Sequence, residues 1–482
     1  VLVGILGLAL LYKYQPNRLE GFGLASALAV TIVGVLVLRR LWELPPAVAM
    51  CAAIVLTVFS GGWSQMGLAG APLNRLLVAL VVLQVLLRAP GAARMPRIQL
   101  RNVHLLMGLT VLYALGSAAV AGSLTSKNGF LQLFDVFGMT PFLLFVLAPA
   151  VFAGQRERNL LLGALVGLGA YLGLTAVFES LGPHALVFPT YIRGVDAESL
   201  AAVKASGPFQ SPTAMGSACF ACAVAGVIAL FQWRGRAGRA LAWVAIVACS
   251  FGCFLTLERG VWIATILATA LTALATRGGR RWLAPGIAIS VVALIGAFAI
   301  SPSLSHNASE RATYKQSLWD RQNQTAAGLR MVAAKPLFGF GLGHYETASV
   351  DYFRQPSDYP MTGYTHDIVI GVPDPILPLH DTYLSYAVEL GLVGGLLWLA
   401  SILWGVGPAI FSFGPAALRP WKLGLLAISA FFLVVCVVDP HTAPFPMVLM
   451  FVWAGLATGA RPLPAGETVT SAARLSPRAA GA

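Results

Sequence analysis

The sequence predicts an all-α fold: a polytopic membrane helix bundle of twelve to fourteen transmembrane helices with one large extracytoplasmic loop containing short helices. Three observations predict it. The chain has 482 residues, of which 57% are hydrophobic and 11% charged. A soluble globular chain carries about 25% charged residues, and so few charges cannot cover a soluble surface. The apolar stretches are continuous, many over the roughly 17–25 residues that a helix needs to cross hydrocarbon. They lack the polar–apolar alternation over about ten residues that a membrane-spanning β-barrel requires.

The apolar segments run over 1–12, 21–38, 45–60, 73–87, 103–122, 131–153, 160–180, 212–233, 240–257, 260–276, 282–301, 381–407, 422–438 and 443–460. The first and fourth are short, which sets the range of twelve to fourteen spans. Charge alternates between the connections. Arg39 and Arg40, Arg88 to Arg101, Arg156 and Arg158, Arg234 to Arg239, Arg277 to Arg281, Arg419 with Lys422, and Arg461, Arg474 and Arg478 all follow even-numbered segments. Only Glu43, Glu157 and Glu467 oppose them. The positive-inside rule makes this face cytoplasmic. The formal net charge of +13 is therefore a topology signal, and nucleic acid is not an expected partner; the lipid bilayer is.

Four regions follow: transmembrane helices over 1–301, a large extracytoplasmic (periplasmic) loop over 302–380, the last transmembrane helices over 381–460, and a disordered cytoplasmic tail over 461–482. A second outside loop covers about 181–211. Within the large loop, 310–335 reads as a helix that Pro336 ends. The six cysteines all fall in predicted spans. Cys219 and Cys222 have the spacing of a metal or redox pair, but small apolar residues packing between helices account for them.

Ionisable groups near membrane depth are costly and mark function by default. Glu258 and Arg259 sit in a very short outside turn, so Arg259 lies near the outer surface. A guanidinium there serves as an interfacial anchor or as a fixed cation for a phosphate, whose oxygens it matches in pairs. Arg321, Arg330 and Lys335 recur along the loop helix. Gly339, Gly341 and Gly343 follow in a G-x-G-x-G run, which permits tight turns and close approach of a ligand to backbone. His380 stands where the chain re-enters the membrane, and beside arginines it is a candidate general base. Neither a zinc-type Cys/His cluster nor a Walker motif is present. The first outside loop, about Lys13 to Gly21, has one acid, Glu20. Metal-dependent lipid-linked glycosyltransferases of the C type usually place an acidic pair there, so no metal and no cofactor is expected.

Four stretches together resemble the O-antigen ligase and polymerase superfamily of bacterial envelope enzymes. Ser206 to Gly216 (SGPFQSPTAMG) is similar to its G-x-F-x-x-P/N-x-x-G stretch, and Leu257 to Trp262 (LERGVW) to its S-R-G-x-W turn. Arg321, followed by Gly328 to Gly343 (GLRMVAAKPLFGFGLG), is similar to its R-x-x-x-W helix and P-x-x-G-x-G-x-G loop. Leu379 to Gly394 (LHDTYLSYAVELGLVG) is similar to its H-N-x-Y-L-x-x-x-x-E-x-G-x-x-G helix. The resemblance covers about 200–394. The chain departs from it at Glu258 (a small polar residue in the family), Thr325 (often Trp) and Asp381 (often Asn).

The resemblance implies an inner-membrane glycosyltransferase with its site on the periplasmic side. Such enzymes move a glycan from an undecaprenyl pyrophosphate carrier to an acceptor hydroxyl, on a lipid core or another glycan, with inversion and without metal. Carried onto this sequence, Arg259 and Arg321 bind the pyrophosphate and stabilise it as it leaves. His380 orients or deprotonates the acceptor hydroxyl. Arg330 and Lys335 bind phosphate or sugar, and Gly339, Gly341 and Gly343 shape the cavity. Two other readings stand beside this one. A transporter or flippase of lipid-linked glycan predicts ionisable groups at mid-span and paired halves. A peptidoglycan-type polymerase predicts a loop aspartate, for which Asp320, Asp351, Asp358, Asp367 and Asp374 are available.

Overall fold

The computed structural model describes residues 39–60, 62, 66, 73–88, 100–125, 132–194, 204–276, 278–281, 315–353, 359–360, 379–411, 416–438, 440 and 443–458. Helices dominate these residues, and no strand occurs among them. They comprise α1 (Pro46–Thr57), α2 (Leu73–Arg88), α3 (Asn102–Ala121), α4 (Met139–Val151), α5 (Gln155–Leu181), α6 (Pro212–Gln232), α7 (Arg236–Leu255) and α8 (Arg259–Leu274). The large loop supplies α9 (Gln316–Ala334) and the single turns α10 (Tyr345–Ala348) and α11 (Val350–Phe353). Then come α12 (Thr382–Phe411), α13 (Arg419–Val438) and α14 (Pro444–Thr458).

Among the described residues, six helices are long and apolar enough to cross a bilayer: α3, α5, α6, α7, α12 and α13. Five shorter apolar helices, in α1, α2, α4, α8 and α14, accompany them. The protein is thus a polytopic helical membrane protein. The predicted segments 1–12, 21–38 and 282–301, and the tail 461–482, lie outside the described residues.

α14 is the centre of the bundle. Every residue from Pro444 to Ala457 is buried, as expected of a helix that is apolar all round. It packs on α4, α12 and α13. α5, α6 and α7 form a second layer through small residues. A Cβ on Gly173 would lie 2.5 Å from the Ala248 backbone, so glycine is what lets α5 and α7 touch. Cys219, Cys222, Cys249 and Cys253 line the same seam as buried free thiols, which is the packing role the sequence suggests.

Two predicted spans are interrupted. Segment 131–153 divides into a π-helical turn (Gln132–Phe137) and α4. The break falls at Gly138, with φ 147°, and the indole N–H of Trp398 takes the Phe137 carbonyl at 3.0 Å. Segment 381–407 is α12, but the helix breaks at Gly391 (φ 68°, ψ 179°). The glycine-rich strand of chain 336–341 enters the break and satisfies the groups it opens. The N–H of Phe340 donates to Val388 (2.9 Å) and that of Gly341 to Glu389 (2.8 Å). In return the N–H groups of Leu392 and Val393 donate to Pro336 (2.8 Å) and Leu337 (3.3 Å). Periodicity does not reveal such a break, because its partner lies some fifty residues away in the sequence.

Gly391 has no room for a side chain. A Cβ there would sit 2.1 Å from the Leu337 carbonyl oxygen, in a left-handed backbone conformation. Left-handed φ alone costs about 1–2 kcal/mol for an L-residue. Gly391→Ala is expected to lower the thermal midpoint in detergent by several degrees. Gly407→Ala, on the same helix with nothing within 4 Å, is expected to leave it unchanged.

Candidate active site

α9 is amphipathic around one buried stripe, and that stripe places the site. Gln324, Ala327 and Met331 are buried, and Gly328 lies against Leu379 and Leu384. Met331, Tyr345, Leu379 and Val388 form a small core of their own. This core seats α9 on the first turns of α12. It carries Arg321 and Gln324, three residues apart on one face, to His380 just before the start of α12.

His380 is mostly enclosed. Its Nδ1 lies 2.8 Å from the side-chain oxygen of Gln324, and its backbone N–H donates to the same oxygen at 3.3 Å. Burial, and then the positive charge of Arg321, lower its pKa to about 4; Glu258 pulls it up and Lys204 pushes it down. The imidazole is therefore neutral at pH 7, the form a general base must start from.

Across from His380, Glu258 sits between two cations. It pairs with the ammonium of Lys204, and its other oxygen lies 3.9 Å from an Arg321 guanidinium nitrogen. All three side chains are largely shielded from solvent. Such a triad holds its cations in fixed positions more than it adds stability. Lys204 is itself fixed by the chain that follows it. The Glu179 carboxylate, at the end of α5, accepts from the N–H groups of Ser206 (3.0 Å) and Gly207 (2.9 Å). The N–H of Ala205 donates to Leu255 at 3.0 Å. The predicted tight turn between α7 and α8 is three residues long. Arg259 follows it as the first residue of α8 and is exposed. There it adds its charge to the positive end of a sixteen-residue helix, a place that favours an anion.

The structure thus brings Arg321 and His380 to one cluster, with Arg259 next in the chain to the cluster's carboxylate. The other predicted residues lie elsewhere. Arg330 is nine residues past Arg321, two and a half helical turns on, and so on the opposite face. Its guanidinium donates to the Tyr352 carbonyl at 3.2 Å, tying α9 to α11. Lys335 caps the far end of α9, about 20 Å along the axis from Arg321, and its ammonium lies 4.5 Å from the Phe340 ring centroid. Gly339, Gly341 and Gly343 all have positive φ and shape the strap against the α12 break. Arg330→Ala is accordingly expected to cost about 1.5–3 kcal/mol of stability, the worth of a hydrogen bond from a charged group. It is expected to change the turnover of the protein's reaction by less than tenfold, measured on the purified chain.

Sequence reading passed over Lys204 and Gln324. The second had a usable signal, because i+3 from a helical arginine is the same face. Lys204 had only its place, two residues before the SGPF stretch. Elsewhere, Ser211, Thr213 and Ser217 at the start of α6 line a small cleft with Phe432, Val435 and Cys436 of α13. Pro446 of α14 closes one side. The cluster offers fixed cations for an anionic group and a neutral imidazole for a hydroxyl proton.

Residues 244–399 match the family model described as O-antigen ligase. The match takes in the Glu258–Arg259 turn, α9 with Arg321, the glycine strap, His380 and the first half of α12. It supports the O-antigen ligase superfamily, and with the helical architecture it supports a multi-pass membrane enzyme of the ligase and polymerase kind. No curated protein matches the chain at a significant level.

Proposed function

We propose that the protein is an integral-membrane glycosyltransferase that moves a glycan from an undecaprenyl pyrophosphate carrier to an acceptor hydroxyl, on a lipid core or another glycan. The reaction takes place at the outer face of the bacterial inner membrane, with inversion and without metal or cofactor. One observation carries the reading: α9 brings Gln324 within 2.8 Å of the His380 ring and, one turn away, Arg321 to the Glu258 carboxylate, all inside the stretch that matches the family. The acceptor hydroxyl oxygen attacks the anomeric carbon of the donor sugar as the bond from that carbon to the pyrophosphate oxygen breaks. His380 takes the hydroxyl proton. Arg259 and Arg321 receive the negative charge that develops on the leaving pyrophosphate. The donor carries its own activated leaving group, so neither nucleotide nor ion gradient is required.

The test is an assay in vesicles with purified protein, lipid-linked glycan donor, lipid-core acceptor and EDTA. Release of one undecaprenyl pyrophosphate for each glycan gained by the acceptor supports the reading. Donor crossing the bilayer without transfer would replace it with a flippase. Ladder formation from donor alone would make the enzyme a polymerase.

A further inference from the structure

The contact between Gln324 and His380 says more than that two polar groups meet. The side-chain oxygen of Gln324 lies within hydrogen-bond distance of two nitrogens of the same residue, the backbone N–H (3.3 Å) and Nδ1 (2.8 Å). A backbone N–H can only donate, so the amide atom facing it is the oxygen. A carbonyl oxygen can only accept, so Nδ1 of the neutral ring must carry its hydrogen. A neutral imidazole has one N–H and one lone pair. The lone pair is then on Nε2.

We infer that Gln324 is a positioning residue for His380, fixing the Nδ1–H tautomer so that Nε2 is the atom that takes the acceptor proton. The inference rests on the glycosyltransferase reading above for the identity of that proton. Its geometric part does not. Gln324 is 1% exposed and lies on α9 one turn from Arg321, so one helix sets both the leaving-group cation and the base. The orienting group is a neutral amide, where a carboxylate would also accept from Nδ1. The choice suits the surroundings. His380 faces Arg321 from α9, Glu258 from the α7–α8 turn and Lys204 from the chain before α6. A carboxylate at 324 would favour the imidazolium, which has no lone pair to offer.

The experiment uses the full chain in detergent, labelled with nitrogen-15 in its seven histidines. The His380 resonances are identified by their loss in His380→Gln. Nitrogen shifts distinguish a protonated from an unprotonated ring nitrogen. The wild-type ring is expected to show Nδ1 protonated and Nε2 bare. Gln324→Leu, which cannot accept, is expected to populate the other tautomer. It is also expected to lower kcat about 10- to 100-fold, part of what a general base contributes, with donor KM unchanged. Gln324→Glu keeps the acceptor and is expected to keep the tautomer. The acid limb of its pH–rate profile should move up by at least one pH unit. A Leu variant with the wild-type tautomer and kcat would overturn the inference. Should that variant not fold, a Glu variant whose acid limb stays in place would overturn it. Absence of transfer by the wild type would sink the glycosyltransferase reading and the catalytic half of the inference together. A changed tautomer in Gln324→Leu without a change in kcat would sink the catalytic half alone.

Discussion

Arg321→Ala is expected to cut the rate of glycan transfer by about 10²–10³, equivalent to about 3–4 kcal/mol, the usual loss when one group that stabilises developing charge is removed. The structure gives three reasons to expect an effect of that size at this position. Arg321 is held by the Glu258 carboxylate at 3.9 Å and by the seating of α9 on α12, so its charge is already in place when the donor arrives. Preorganised charge in a partly dehydrated site acts more strongly than the same charge in water. Its loss also reaches the base. Arg321 is one of the groups that lower the His380 pKa, after burial itself. The residual activity of Arg321→Ala should therefore show an acid limb at higher pH than the wild type. Arg321→Lys keeps the charge but not the paired donors, and should recover part of the rate. A pH–rate series on the three proteins measures both effects. An Arg321→Ala variant with wild-type kcat and an unmoved acid limb would contradict the assignment.

His380→Ala is expected to lower kcat by about 10²–10⁴ with little change in donor KM, because a general base acts on the proton in the transition state and not on donor binding. The sign of the pH dependence follows from the environment. Burial and the neighbouring cations lower the pKa from its ordinary value near 6.5 to about 4. The base form thus survives well below pH 6.5. Transfer should stay flat as pH falls from 8 to 6 and decline only on approach to the lowered pKa. An acid limb centred at 6.5 would mean that His380 is not enclosed during turnover. The non-titrating Ala variant should lose that limb altogether.

Much of this architecture was legible in the residues. The scarcity of charge gave the membrane class, and the long apolar runs gave the helices. Arg259 and His380 stood out because charged residues are scarce in the chain and each of these sits at the end of a predicted span. Pro336 marked the end of α9 correctly. What the sequence could not show depends on contacts between distant segments. The break at Gly391 is stable only because residues 336–341 fill it. Within a span, that glycine looks like any other small packing residue. The glycine run, too, read as a ligand-shaping loop from spacing alone, and spacing did not reveal that the Gly339 N–H bonds back to Lys335 while that of Gly341 bonds into α12. Arg330 and Arg321 looked equivalent as cations on one helix. Half a turn of phase separates one that supports α11 from one that meets Glu258. Lys204 and Glu179 carry no motif. They matter because folding lays the 204–207 chain across the α7–α8 turn.

The central claim is that Arg321 and His380 serve one chemical step, the departure of pyrophosphate as the acceptor hydroxyl loses its proton. The most direct measurement is a double-variant cycle on the transfer rate in vesicles, with wild type, Arg321→Ala, His380→Ala and the pair together. Groups that act as a unit in a single transition state are strongly non-additive. The pair is therefore predicted to fall little further than the worse single variant. Losses that multiply fully would show that the two residues contribute independently and would contradict their acting as a unit, and full transfer by both single variants would contradict the site.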